Sequence, residues 1–242
     1  MSQFPNPFAD ARSTPLGYES RTDSVTLVQF FNSVYAWMAS GIALTALVAW
    51  WVSTQPALAD VFYGPARWVV FIVQIGLIFA IAGAINRISA AAATVLFMLY
   101  AASMGLTLCA IFRVYSGPVI ATTFGVTAGM FAATSVYGFV TKTDLTRFGN
   151  LLFMALIGLV IASIVNWFWR NPALYWIVTY VGVFVFVGLT AYDTQRLRMI
   201  AVQLADNPSA AARYAIVGAL QLYLDFINLF LMMLRILGDR RN

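Results

Sequence analysis

Long apolar runs separated by short polar interruptions make up most of this chain. They fall at residues 28–53, 66–84, 89–112, 118–140, 148–169, 173–194 and 210–237. Each approaches or exceeds the ~20 residues that a helix needs to cross ~30 Å of hydrocarbon, so the pattern predicts seven transmembrane helices. Two connections are long, 54–65 and 195–209. The second keeps a helical pattern that breaks at Asp206-Asn207-Pro208, with Ser209 as the expected N-cap of the last helix. Residues 1–26 are polar, carry Pro5, Pro7 and Pro15, and read as a mobile tail. Residues 238–242 form a shorter tail, which leaves 27–237 as the membrane domain. The first apolar run is too long and too late for a signal peptide, and no basic region opens the chain.

The last run carries a polar stripe. On a wheel of about 100° per residue started at Gln221, Asp225, Asn228, Met232 and Arg235 fall within roughly 40°, with Tyr214 beside them and Gly218 slightly further round. Off that stripe, from Tyr214 on, the residues are Leu, Ile, Phe, Met, Val or Ala apart from Tyr223. A helix apolar nearly all round sits in a membrane or deep in a core, and a polar stripe on it must face something other than lipid. The other six helices are therefore read as what surrounds it.

Composition agrees with a polytopic membrane protein: 62% hydrophobic and 10% charged, against about 45–50% and 25% in soluble domains. The net charge of +5 fits basic loops flanking a membrane and gives no reason to expect nucleic acid as a partner. The absence of histidine excludes Ser-His-Asp triads, His-ligated zinc or haem, and Ser-His intramembrane proteolysis. Lys142, the only lysine, lies in a loop, so a Schiff base buried in the last helix is excluded. Cys109 is alone and sits in an apolar run, so no intramolecular disulfide or cysteine metal cluster can form.

Two signals orient the chain with its N-terminus in the cytoplasm. That choice gathers Arg12, Arg21, Arg87, Lys142, Arg147, Arg196, Arg198 and Arg213 on the cytoplasmic side and leaves Arg67, Arg113 and Arg170 in the opposite loops. It also brings Trp50, Trp51, Trp68, Trp167, Trp169 and Trp176 to one level, an interfacial aromatic belt. Seven full spans would put Arg235, Arg240 and Arg241 outside, against the rule; a last segment that enters and turns back would not.

In lipid, helices associate through close backbone packing. The fourth run repeats Ala121, Gly125, Gly129 and Ala133 at four-residue intervals, and the second offers Gly76, Ala80 and Ala84, so these faces are the expected helix contacts. There is no strong internal repeat to suggest an inverted-repeat transporter.

Asp60, Asp144, Asp206 and Asp239 fall in loops or the tail and read as solvated charge. Asp193 ends the sixth run, and Asp225 lies within the seventh. A carboxylate inside a span costs at least ~2.5–3.5 kcal/mol on insertion scales and so marks a pathway, a sensor or a structural polar contact. Spacing alone sets Asp225 as much as ~18 Å past the start of its run. The two aspartates meet only if the last helix begins well outside the hydrocarbon, near Ser209, and Asp193 is itself buried. Two carboxyls in contact at low dielectric then keep one proton between them, and losing it separates the helices or recruits a cation. Arg87 is the better counter-charge for Asp193, because Arg235 stands ~15 Å along the helix from Asp225.

These residues make the sequence familiar. Ser135-Val136-Tyr137-Gly138 with Thr141-Lys142-Thr143-Asp144-Leu145, Tyr192-Asp193-x-Gln195, and Leu222-Tyr223-Leu224-Asp225-x-Ile227-Asn228-Leu229-Phe230 with Leu234-Arg235 closely resemble the signatures of the Bax inhibitor-1 family, bacterial branch. The resemblance covers the whole membrane region. It implies an all-α fold of seven transmembrane helices, the last central and wrapped by the other six. It also implies a pH-sensitive calcium leak in a bacterial inner membrane, with Asp193 and Asp225 as sensor, gate and transient calcium ligands, and Arg87 as the exchanging arginine. Gln221, Asn228 and Arg235 support the gate as its polar stripe. Calcium is expected as the permeant ion, with no cofactor and no catalytic residue. Gln74 stands where some members carry an acidic residue.

Two other readings compete. An intramembrane aspartyl protease also places Tyr-Asp on one helix and Asp on the next, but it needs Gly-x-Gly-Asp where this chain has Leu222-Tyr223-Leu224-Asp225. A non-conducting regulator would bind membrane proteases or other bilayer proteins and use the aspartates structurally.

Overall fold

The computed structural model of the protein describes residues 16–84 and 87–238, with the side chains of 16–25 and of Ala82 outside the description. The expected tails at 1–15 and 239–242 lie outside it as well. The described residues form α-helices only: α1 (Leu16–Ser53), α2 (Pro56–Tyr63), α3 (Ala66–Ala84), α4 (Ala90–Leu108), α5 (Ile111–Val114), α6 (Gly117–Val140), α7 (Thr146–Trp169), α8 (Pro172–Gln203) and α9 (Pro208–Leu237).

Six of these, α1, α4 with α5, α6, α7, α8 and α9, are long and apolar enough to cross a bilayer. A seventh span arises where α2 and α3 are counted together, a pair bent by 71° at their junction. The bend has a local cause: Gly64 and Pro65 follow α2, and the Gly64 N–H closes α2 by bonding the Asp60 and Val61 carbonyls.

Three element ends differ from the sequence pattern. α1 starts at Leu16, taking in the last eleven residues of the expected tail. Pro15 precedes it, and the run Glu19-Ser20-Arg21-Thr22-Asp23 holds nothing that stops a helix growing out of the bilayer. The connection at 195–209 shrinks to a turn because α8 continues to Gln203. α9 is capped by Asn207, not Ser209: the Asn207 side chain accepts from the Ala210 N–H at 3.0 Å, and the Ser209 hydroxyl donates to the same oxygen. Pro208 decides this, since its fixed φ and missing N–H suit the first helical position and leave capping to the residue before it.

α9 is the axis of the molecule. Ala219, Leu222, Tyr223 and Leu229 are fully buried, and Phe226, Ile227, Phe230 and Leu234 nearly so, positions that run round its whole circumference. It packs directly on α1, α4, α6 and α8. α3 packs chiefly on α4, and α7 on α8, so the expected ring of six is an inner ring of four with two outer helices. The core around α9 is aromatic: Tyr223 meets Phe97 and Tyr100 edge-on, and Phe226 meets Phe124 and Phe131. The Tyr223 hydroxyl does not go unpaired there, because Thr45 Oγ1 on α1 lies 2.7 Å away and bonds the Ala101 carbonyl of α4 at 2.8 Å. One hydroxyl thus joins three helices.

The glycine faces are corrected by the structure. Gly125 and Gly129 point to open space, as does Gly76 on α3; a side chain added at any of them would meet nothing within 4 Å. The buried face of α6 carries Thr123, Thr127, Phe131, Ser135 and Gly138 instead. Position 125 lies two residues, about 200°, from 123, so one face turned in forces the other out. Ser135 on the inward face finds partners on α1 and α8, whereas bare glycine tolerates lipid. The close approaches occur elsewhere: Gly138 against the backbone of Ala191, Gly105 against Thr45 and Val48, and Gly149 against the ring of Tyr192.

Candidate functional site at the α8–α9 carboxyl pair

The site rests on the α8–α9 hairpin. Gly218 of α9 receives Leu197 of α8, and further along Gly182 of α8 receives Met232 of α9. These two contacts set the antiparallel register, and Asp193 and Asp225 fall between them. The turn at Leu204–Asn207 puts α9's start far beyond the site, which meets the condition that spacing alone left open. The two carboxyl groups are neighbours, each acting on the other's charge. Asp225 is 5% exposed, and its Oδ2 has no hydrogen-bond partner. Asp193 is half-buried.

The first two sequence signatures turn out to be a single clamp that holds Asp193. Thr190 and Thr194 flank it on α8, buried, each returning its hydroxyl to the carbonyl four residues back. Thr194 Oγ1 also meets Ser135 Oγ of α6 at 2.9 Å, and Ser135 meets the Tyr35 hydroxyl of α1. Gly138 lets α6 press its backbone against Ala191. Gln195 closes the loop end: its Oε1 accepts from the Leu145 N–H and its Nε2 donates to the Thr143 carbonyl, both at 2.8 Å. Arg198 adds a bond to the Phe139 carbonyl at 2.9 Å. Asp193 is therefore carried on a helix tied to α6 and α1 at several points.

The candidate residues fare differently. Asp193 and Asp225 come together. Arg87 does not join them: it is exposed in the turn after α3 and forms no ion pair with either aspartate. The cation whose charge acts on Asp193 is Arg196, three residues on along α8. Spacing could not show this, since it does not tell where the turn joining outer α3 to α4 lies relative to the α8–α9 hairpin. On the stripe, Gln221 and Asn228 are half-buried, and the Asn228 amide returns to the Leu224 carbonyl at 2.8 Å. Arg235 lies at the other end of α9 from the hairpin turn, against Tyr175. Gln74 is buried on α3 and donates to Thr107 Oγ1 of α4 at 2.9 Å, so it is spent on packing the outer helix to the inner ring. Among the described residues no group of three or more His, Cys, Asp or Glu side chains is placed to hold a metal.

Sequence reasoning missed the hydroxyl chain Tyr35–Ser135–Thr194 and the clamp made by Gln195. The signal was present: Ser135, Thr194 and Gln195 are hydrogen-bonding side chains at or within apolar runs, where each needs a partner.

A carboxyl pair on the last two helices, locked to a Ser-Val-Tyr-Gly turn of α6, is the arrangement that the three signatures encode together. The model of a family described as inhibitor of apoptosis-promoting Bax1 matches residues 27–242. The chain belongs to the Bax inhibitor-1 family. It is 50% identical over 229 residues to the inner membrane protein YbhL of Escherichia coli, covering 91% of this chain and 98% of that one. It is 43% identical over 216 residues to an uncharacterized protein of Borreliella burgdorferi, covering 88% and 93% of the two chains. A Deinococcus radiodurans protein, also uncharacterized, matches at 44% over 211 residues, covering 87% and 90%. The Bax inhibitor-1 chain described here is thus an all-α integral membrane protein.

Proposed function

We propose that this protein is a proton-gated cation leak of a bacterial inner membrane, with calcium as the permeant ion and Asp193 and Asp225 as the gate. The observation that carries the reading is the buried Asp225 Oδ2, which has no hydrogen-bond partner and stands beside the Asp193 carboxyl. A buried carboxylate oxygen without a donor is costly, and a proton held between the two carboxyls supplies one. With that proton in place the pair bridges α8 to α9, and the path between them is closed. Its loss leaves two negative charges facing each other at low dielectric, which either part the helices or draw in a cation. Flux therefore rises as pH rises. Arg196 is the cation that acts on Asp193 in the closed arrangement, and Arg87 is the proposed partner once the helices separate.

Calcium suits this role as cargo. It seeks about 6 to 8 oxygen ligands, and two carboxylates supply no more than four, so the pair attracts the ion without trapping it. Peptide hydrolysis is disfavoured by the same geometry: Leu222 and Tyr223, just ahead of Asp225, are fully buried against neighbouring helices, which leaves no cleft for a substrate strand. The location follows YbhL, named as an inner membrane protein. The cytoplasmic N-terminus follows the basic loops.

The test is calcium entry into liposomes containing the purified protein, measured between about pH 6 and 8. Flux that rises with pH supports the leak. Folded protein that passes no calcium at any pH overturns it in favour of a non-conducting regulator, and partners would then be sought among membrane proteases and other bilayer proteins.

A further inference from the structure

At the end of the bundle away from the carboxyl pair, α7, α8 and α9 enclose a second polar feature. A cavity of about 830 Å³ is lined by Asn166, Arg170, Asn171, Tyr175, Trp176 and Arg235, among others. Among the described residues its lining contains no Asp or Glu. Arg235 is half-buried on the central helix. Its guanidinium lies over the Tyr175 ring, 5.2 Å from the centroid, and its one hydrogen bond runs to the Met232 sulfur at 3.8 Å. Arg170 sits at the α7–α8 turn with φ 50°, a left-handed conformation that few non-glycine residues adopt. Neither arginine forms an ion pair with a described carboxylate.

The two asparagines strengthen the pattern. Asn166 Oδ1 accepts from the Asn171 N–H at 3.0 Å, and Asn171 Oδ1 accepts from the Ala173 and Leu174 N–H groups at 2.8 and 3.3 Å. Both side-chain oxygens are therefore consumed by the backbone, which leaves each amide with its NH2 group as a donor. Two guanidiniums and two amide donors share one cavity with no carboxylate among the described residues that line it. That set suits an oxyanion with several acceptor oxygens.

Depth identifies the source of that anion. Trp167 and Trp176 line the cavity and are 57% and 41% exposed, as indoles of an interfacial belt are. Arg67 of α3 lies over the Trp167 ring, 5.8 Å from the centroid. Donors at headgroup depth are placed to meet a phosphodiester, and the exposed apolar faces of α7 and α8 offer a surface for acyl chains.

We propose that this cavity is a phospholipid headgroup site, in which Arg170 and Arg235 bind the phosphodiester and Asn166 and Asn171 donate to its oxygens. It accounts for arginines at the end of the bundle where basic residues are otherwise scarce, and it would tie α7, α8 and α9 together where they leave the bilayer.

The experiment is native mass spectrometry of the delipidated full-length protein titrated with phosphatidylglycerol, with diacylglycerol of the same chains as the phosphate-free control. One saturable phosphatidylglycerol is expected, with no matching diacylglycerol adduct. Arg170→Gln and Arg235→Gln are each expected to weaken binding about tenfold or more. Arg170 is exposed at a turn, so its variant tests the site even if Arg235→Gln fails to fold. Unchanged phosphatidylglycerol affinity in Arg170→Gln, or equal binding of diacylglycerol, overturns the proposal. Thermal stabilisation by inorganic phosphate as large as that by phosphatidylglycerol would assign the cavity to a free anion and overturn the lipid assignment.

Discussion

Ser135 links three helices through one oxygen. Its hydroxyl lies between Tyr35 of α1 and Thr194 of α8, next to the aspartate that α8 carries. Ser135→Ala removes the common partner and leaves two hydroxyls to find others, at an expected cost of about 1–3 kcal/mol in a thermal melt in detergent. Gln195→Leu acts at the loop end of the same clamp. It strips partners from the Leu145 N–H and the Thr143 carbonyl, and a loss of similar size, about 1–3 kcal/mol, is expected. A melt unchanged within about 0.5 kcal/mol in either variant would show that the clamp holds nothing. Asp144 illustrates a loop charge with a local task. The hydroxyl and then the N–H of Thr146 bond its carboxylate and hold it below the usual range. Its support for the start of α7 is therefore present at neutral pH and is lost as the pH falls through that lowered value. Much of this was readable in outline, because a hydroxyl or amide inside an apolar run announces that it needs a partner. Which partner it takes was not readable, since Tyr35 and Ser135 are a hundred residues apart and nothing local relates them.

Helices were more legible than their faces. The apolar runs locate the long helices, and the circumference of α9 marks it as the central one. The four-residue repeat at Gly125 and Gly129 points to the wrong side of α6, because small residues and hydroxyl residues recur with the same period on opposite faces. Only the contacts decide between them. The prediction reverses accordingly. Gly125→Leu is expected to leave the melting behaviour within about 0.5 kcal/mol of wild type, as at an open surface position. Gly138→Ala is expected to cost about 1–3 kcal/mol, because its added carbon would collide with the Ala191 backbone, which cannot swing away. A melt in which the Gly125 variant loses more than the Gly138 variant would contradict this packing. Element ends follow the same lesson at smaller scale. Pro208 fixes the cap at Asn207 by its ring geometry, although Ser209 is an equally good capping residue by type.

At the scale of the whole molecule, an inner ring of α1, α4, α6 and α8 surrounds α9, and the carboxyl pair lies between the axis and one member of that ring. A change at the pair therefore bears on how α8 sits against the central helix, and the α6 clamp passes it on to α1. The outer helices α3 and α7 touch this unit mainly through α4 and α8. The pair's proximity came from resemblance and not from spacing, because it depends on a hairpin register that Gly218 and Gly182 set together. The central claim is that Asp193 and Asp225 act as one proton-binding unit. The most direct test is calcium flux into liposomes between about pH 6 and 8 for wild type, Asp193→Asn, Asp225→Asn and the double variant. The account predicts flux that climbs with pH in wild type, flat profiles in both single variants, and no further change in the double. A single variant that keeps the wild-type pH profile, in protein shown to be folded, would contradict it.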